Sequence, residues 1–215
     1  MIVAGPSGCG KTTLVAELLA NVSRVMDRTP TKVIVAFSQM QPLYGTFTEI
    51  APCPVQLLEG LPPDLRPQPG TLLILDDLQG HDTKKVIRDW FTVRSHHYDT
   101  SVIYLVQNVF DKNAEHRTVS LNAHYMAIFK NPRDASQVTH LAKQMFPHNV
   151  KLIAEAYKAA TEQPHSYLFL DLKQTTQDIA RLRDGILPPS DVCKGYIFVD
   201  PDGLESETVS IQCYV

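Results

Sequence analysis

The sequence predicts a three-layer α/β fold built on a mainly parallel central sheet. Three observations predict it. A glycine-rich loop, Gly5-Pro-Ser-Gly-Cys-Gly-Lys11-Thr12, follows a short apolar stub and precedes apolar residues at helical spacing. Near-continuous apolar runs at 32–37, 71–75 and 101–106 have the composition of strands buried on both faces. Helical patterns separate those runs, and strand–helix alternation places helices over both faces of a parallel sheet.

The elements follow in order. Met1-Ile-Val-Ala4 is the first strand stub. Only four residues precede Gly5, fewer than such a strand usually has, so either the natural protein extends upstream or the stub is just sufficient. Leu14, Val15, Leu18, Leu19 and Val22 predict a helix from Lys11 to about Met26, ended by Thr29-Pro30. Lys32-Val-Ile-Val-Ala-Phe37 is the next strand. A turn and short helix start at Gln41, and a short strand is expected at 55–58. Pro62, Pro63, Pro67 and Pro69 make a stiff connector. Thr71-Leu-Leu-Ile-Leu75 is a buried strand ending in Asp76-Asp77. A helix is expected from Thr83 to Arg94, with Val86, Ile87, Trp90 and Phe91 on one face. Ser101-Val-Ile-Tyr-Leu-Val106 is a strand ending in Gln107-Asn108, and 124–129 is another. Helices are expected over 134–146 and 150–161, an edge strand over 167–172, and a short helix over 175–183. From Leu187 the pattern thins, and the acidic stretch around Glu205–Glu207 reads as a mobile tail. The expected domains are therefore 1–186, holding the phosphate loop, and a partly irregular tail, 187–215.

The loop carries the chemistry. It satisfies G-x-x-x-x-G-K-[ST], in which glycines let backbone N–H groups turn onto phosphate oxygens. Gly5, Pro6, Ser7, Gly8, Cys9, Gly10, Lys11, Thr12 and Thr13 are the expected nucleotide-binding residues. Lys11 supplies positive charge to the β- and γ-phosphates and Thr12 a hydroxyl to Mg²⁺, with the helix N-terminus facing the same anion. Ligands of such sheets sit at the carboxyl ends of the strands, where this loop, Asp76-Asp77 and Gln107-Asn108 all fall. Asp76, after its apolar run, is the expected second Mg²⁺ ligand. Asp77 either orients the attacking water or is a helix-capping or solvated acid. Gln107 can donate to a γ-phosphate and accept from water. Arg133, in Asn131-Pro-Arg-Asp134, is the favoured arginine to act on a neighbouring subunit's nucleotide, with Arg117 as the alternative and Arg181 and Arg183 as weaker candidates.

Composition sets bounds. A chain of 215 residues can bury one large core. A net charge of −3 gives no global basic field for coating nucleic acid, though a ring needs only a basic pore lining. Lys84, Lys85 and Arg88 read as a solvated face rather than such a lining. Cys9, Cys53, Cys193 and Cys213 are scattered singly, so neither a zinc site nor a disulfide framework is indicated, and the thiol inside the loop points to a reducing, intracellular compartment. His96-His97 suit a helix end, not a metal site. No signal peptide and no run long enough to cross a membrane is read.

The order of these blocks carries a resemblance. Gly5–Thr12, Phe37-Ser-Gln-Met-Gln-Pro-Leu-Tyr44, Leu73-Ile-Leu-Asp-Asp77, Ser95-His-His97, Val102-Ile-Tyr-Leu-Val-Gln-Asn108, Arg117-Thr-Val-Ser-Leu-Asn-Ala-His-Tyr125 and Phe129-Lys-Asn-Pro-Arg-Asp134 resemble the viral genome-packaging ATPases of the FtsK–HerA superfamily. The match is to the adintovirus and Maverick/Polinton type, and more distantly to the poxvirus type, over roughly residues 1–185. The resemblance implies an ASCE/RecA-like P-loop NTPase that hydrolyses ATP with Mg²⁺. It also implies a homo-oligomeric ring, often a hexamer, that drives double-stranded DNA into a capsid, acting at the capsid or portal vertex in host nucleus, cytoplasm or virion. Asp77 departs from the family's usual glutamate and is one methylene shorter. An ABC-transporter ATPase is disfavoured because no L-S-G-G-Q signature occurs. A small P-loop kinase of guanylate-kinase type lacks such an acid pair. A regulatory nucleotide-binding or assembly protein with little turnover stays as the alternative.

Overall fold

The computed structural model describes residues 1–78, 80–109, 114–133, 136–145, 147, 150–187, 192–199 and 205–212; for 81, 198, 199 and 205–212 it describes the backbone alone. The chain divides into two compact units, Met1–Val3 with Gly10–Ala123, and Ala4–Cys9 with His124–Val215.

The first unit holds β1 (Ile2–Ala4, save its last residue), α1 (Lys11–Ala20), α2 (Val22–Val25), β2 (Lys32–Phe37), α3 (Tyr44–Ile50), β3 (Val55–Glu59), β4 (Thr71–Asp76), α4 (His81–Asp89), α5 (Ser95–His97), β5 (Ser101–Val106) and α6 (Ala114–Leu121). Its strands lie in the order β1-β5-β4-β2-β3. The pairs β2–β3, β2–β4 and β4–β5 are parallel. Met1 donates to Val102 O at 2.7 Å and accepts from Tyr104 N at 3.0 Å, the slanted pattern of a parallel ladder. β5 therefore lies between the loop-bearing strand and β4. Every residue of β4 is buried, as a central parallel strand requires. Phe37 pairs with Asp76, and Asp76 with Leu105, so β2, β4 and β5 end level with one another. That alignment brings the residues after 37, 76 and 106 to one edge.

The predicted long first helix is interrupted. The Asn21 side chain donates to Glu17 O at 2.9 Å, closing α1, and α2 resumes for one turn. α4 is followed by a π-helical turn, Trp90–Arg94, and then α5. The wider turn buries Trp90 and Phe91 together while leaving Val93 exposed. Trp90 packs 5.9 Å from Tyr98, and the Arg94 guanidinium covers the indole at 5.6 Å. α6 occupies a segment for which the sequence pattern gives no element. It is short, and its buried face is His116, Val119 and Ser120, too polar to give an apolar period.

The second unit holds β6 (Tyr125–Phe129), α7 (Ser136–Met145), α8 (Val150–Ala160), β7 (Tyr167–Asp171), β8 (Leu182–Arg183), β9 (Val192–Val199) and β10 (Glu205–Gln212). Its strands run β6-β7-β8-β9-β10, all antiparallel. β7 is thus not the edge strand expected, since β6 and β8 flank it. The helix expected over 175–183 is instead a 3₁₀ turn (Asp178–Ala180) followed by β8. Arg181 explains the change: its guanidinium donates to Asp171 O at 3.1 Å, Lys173 O at 3.2 Å and Thr176 O at 2.8 Å, holding the loop in a non-helical path. Arg183 lies 4.7 Å over the Phe169 ring and 3.8 Å from Asp171. Where a mobile tail was expected, β9 and β10 form an eight-residue antiparallel pairing. Cys193 on β9 is disulfide-bonded, which the reading of isolated cysteines did not expect, while Cys9 and Cys53 form no disulfide.

The α/β class and mainly parallel sheet read from the sequence are present, with the antiparallel strands confined to the second unit. Among the described residues no helix is long and apolar enough to cross a membrane.

Candidate active site

The first unit holds seven of the sequence-predicted residues near its level strand ends: Gly10, Lys11, Thr12, Thr13, Asp76, Asp77 and Gln107. Gly10 takes φ 110, a left-handed conformation that turns the chain into α1, and no side chain caps that helix. Lys11 and Thr12 are the first two helical residues, and Thr13 is exposed.

Asp76 is the best-held group. It is 3% exposed at the end of β4. Tyr44 OH donates to its Oδ2 at 2.5 Å, and Gln41 Nε2 donates to the same oxygen at 3.2 Å. Gln41 Oε1 in turn accepts from Thr12 Oγ1 at 3.1 Å. One amide thus links the two residues read as Mg²⁺ ligands. Tyr44 is itself fixed, buried between Phe37 at 5.1 Å and Phe47 at 5.6 Å.

Burial raises the Asp76 carboxyl above its ordinary value; the Tyr44 hydrogen bond and Lys11 pull it down, and Asp77 adds a smaller upward push. Burial and the bond to Asp76 also raise the Tyr44 phenol, which stays protonated as a donor. The linkage sign follows. A folded-state value above the unfolded one means the native protein holds this proton more tightly, so its stabilisation is present below about pH 4 and lost as pH rises through the folded value. At neutral pH the ionised carboxylate costs stability. Asp76→Asn is therefore expected to stabilise the ligand-free protein by about 0.5–2 kcal/mol at pH 7, seen as a raised Tm that converges on wild type in acid. A lower Tm for the variant at pH 7 would show that the hydrogen bonds to the charged oxygen outweigh its burial.

Asp77 has φ 46, a left-handed conformation aspartate tolerates better than most side chains. Gln107 Nε2 lies 3.4 and 3.5 Å from its two carboxylate oxygens, at the long limit of a hydrogen bond. The strand-end amide and the acid after β4 therefore meet, with Gln107 exposed and Asp77 half-buried.

The other half of the loop belongs to the second unit. Gly5 is buried, and a Cβ there would lie 2.7 Å from both Cys9 Sγ and Phe129 Cβ, so no larger residue fits. Gly8 takes φ 76 in open space, and Ser7 and Gly8 are exposed. Cys9 N donates to Pro6 O at 3.3 Å. His165 Nδ1 lies 3.1 Å from Cys9 O, so its ring N–H donates to the loop. Arg133 is exposed in the turn after β6, its backbone N–H donating to Asn131 Oδ1 at 3.2 Å. Arg117 is exposed on α6 of the first unit. Arg181 and Arg183 are committed within the second unit. Arg88, from the basic cluster, pairs with Asp89 and with Glu115, each at 2.8 Å.

Sequence reasoning assigned no role to Gln41, Tyr44 or His165. Gln41 and Tyr44 stand just after β2, and the usable signal was that a strand beside β4 delivers its following residues to Asp76. His165 had no sequence signal.

The donor set suits a hard divalent cation. Thr12 and Asp76 offer oxygen alone, and among the described residues no group of three or more His, Cys, Asp or Glu side chains forms a protein cage. Mg²⁺ binding in this style uses one or two protein oxygens, with water and phosphate completing the shell.

No protein-family model matches the chain, and no curated protein matches it. Among solved structures, the cytoplasmic domain of the Type VII secretion ATPase EccC of Thermomonospora curvata is similar at a TM-score of 0.52 and 10% identity, over 84% of this chain and 26% of that one. This chain thus spans about a quarter of the EccC chain. The genome packaging NTPase B204 of Sulfolobus turreted icosahedral virus 2, in complex with ATP-gammaS, aligns at a TM-score of 0.49 and 15% identity over 81% of this chain and 92% of that one. The ATPase DotB of Legionella pneumophila aligns at 0.40 and 14% identity, over 76% and 52%. The likeness to EccC is one of fold: this chain has the α/β architecture of P-loop ATPases.

Proposed function

We propose that this protein is an ATP-hydrolysing motor that translocates double-stranded DNA, of the genome-packaging type its motif order resembles. The observation that carries the reading is the meeting of Lys11, Thr12, Asp76, Asp77 and Gln107 in one unit, at the carboxyl ends of adjacent parallel strands. Lys11 binds the β- and γ-phosphate oxygens, joined by backbone N–H groups of the loop Gly5–Thr13 other than Pro6, which has none. Thr12 and Asp76 hold Mg²⁺, which when bound neutralises phosphate charge. Asp77 orients the attacking water, and Gln107, already beside it, links that acid to the γ-phosphate. Arg133, or else Arg117, completes the site of a neighbouring copy in a ring, which a guanidinium is suited to do. DNA passage needs only a local basic lining, so the net charge of −3 is compatible with it.

The test is phosphate release from Mg-ATP with and without long double-stranded DNA, with Lys11→Ala as the blank. The motor reading expects DNA to stimulate turnover in the wild type alone. Arg133→Ala is expected to lower DNA-stimulated turnover by roughly 10³-fold or more, the scale of an arginine finger, while ATP binding to the isolated chain persists. Full stimulated turnover in that variant would remove Arg133 from the mechanism. Turnover indifferent to DNA would favour the regulatory nucleotide-binding alternative, and transfer to a nucleoside monophosphate a kinase.

A further inference from the structure

We propose that Gln41 and Tyr44 are positioning residues for the metal–nucleotide site, presetting the Thr12 hydroxyl and the Asp76 carboxylate in the orientation that receives Mg²⁺. The inference rests on the nucleotide site proposed above.

The direction of each hydrogen bond is fixed by chemistry. A carboxylate only accepts, so the Gln41 NH₂ must face Asp76 Oδ2. The Gln41 carbonyl oxygen then faces Thr12, and the hydroxyl must donate to it. A threonine hydroxyl has one proton and two lone pairs. With its proton committed to Gln41, both lone pairs are left to accept, which is what a cation ligand must do. At the other end, Gln41 and Tyr44 both donate to Oδ2. That loads one carboxylate oxygen and leaves Oδ1 to face a cation or its water. Tyr44 cannot swing away, because it is 1% exposed and packed between Phe37 and Phe47. Both ligands are thus held before any metal arrives, and the cost of orienting them is met on folding rather than on binding.

Tyr44→Phe removes the hydroxyl and keeps the packed ring. Gln41→Leu removes both amide bonds at similar size. ATPγS is titrated into wild type, Lys11→Ala and these two variants, first in EDTA and then across a Mg²⁺ series. Mn²⁺ binding to the nucleotide complex is followed in parallel by electron paramagnetic resonance. In EDTA both variants should bind ATPγS within about twofold of wild type, since neither side chain holds phosphate. The Mg²⁺ concentration giving half the metal-dependent gain should rise roughly 10–100-fold, Mn²⁺ affinity should fall in step, and excess Mg²⁺ should restore tight binding. Wild-type metal dependence in both variants would overturn the proposal. So would an equal loss with and without metal, which marks general damage to the fold. If wild type binds no ATPγS in either condition, the nucleotide site falls and this proposal with it, an outcome distinct from failure in the variants alone.

Discussion

Lys11→Ala is expected to lower ATP turnover by at least about 10²–10³-fold, the scale of removing one preorganised charged donor from a reacting oxygen, and to abolish productive ATP binding. Lys11 opens α1, and alanine is the strongest helix former, so the helix should persist. The loss has two parts. The ammonium no longer meets the phosphates, and it no longer pulls the Asp76 carboxyl down against its burial. Asp76 is then less readily ionised, and the cation site weakens as well. Lys11→Arg should rescue little, because a planar fork does not replace a compact ammonium in a tight loop. Binding of ATPγS, phosphate release and Tm, measured together, check this. Near-normal turnover in a folded Lys11→Ala protein would dismiss the loop as the nucleotide site.

Asp77→Asn should separate chemistry from binding. Asparagine also tolerates φ 46, so the backbone turn after β4 is kept. Only the charge and one acceptor are lost. Turnover should fall by about 10²–10⁴-fold, the range for a positioned general base, with ATPγS affinity and Tm within error of wild type. Because the Gln107 contact is long in the free protein, it also tests coupling: Gln107→Ala should lower turnover less, and the double variant should lose no more than Asp77→Asn alone. If Asp77→Asn turns over like wild type, Asp77 is a helix-capping or solvated acid instead.

Much of this was legible in the sequence. The strands β2, β4 and β5 announced themselves because burial on both faces leaves only apolar residues in them. The loop was legible because its fixed positions, Gly5, Gly10, Lys11 and Thr12, each answer a separate constraint, as the 2.7 Å approach of Phe129 to a Cβ at Gly5 illustrates. Most of what escaped was set by partners distant in sequence. β8 forms where a helix was expected because Arg181 gathers three carbonyls, and no local pattern encodes that. β9 and β10 were missed although they carry local signals: Tyr196-Ile-Phe-Val199 is an apolar run, and Val209 and Ile211 alternate with Ser210 and Gln212, but the acidic residues around Glu205 outweighed them in the reading. Gln41 and Tyr44 matter only because Phe37 lies in register with Asp76, and register is not written in either segment alone.

The parallel ladder between Met1 and Tyr104 has a consequence for how the chain is made. The strand that leads into the phosphate loop is synthesised before its partner β5, which follows roughly a hundred residues later. At about 5–20 residues per second, that interval lasts roughly 5–20 s. Throughout it the loop leaves the ribosome with no sheet beneath it. The parallel pairing of β1 is therefore completed only once β5 has been made, and β5 is the strand that joins it to β4.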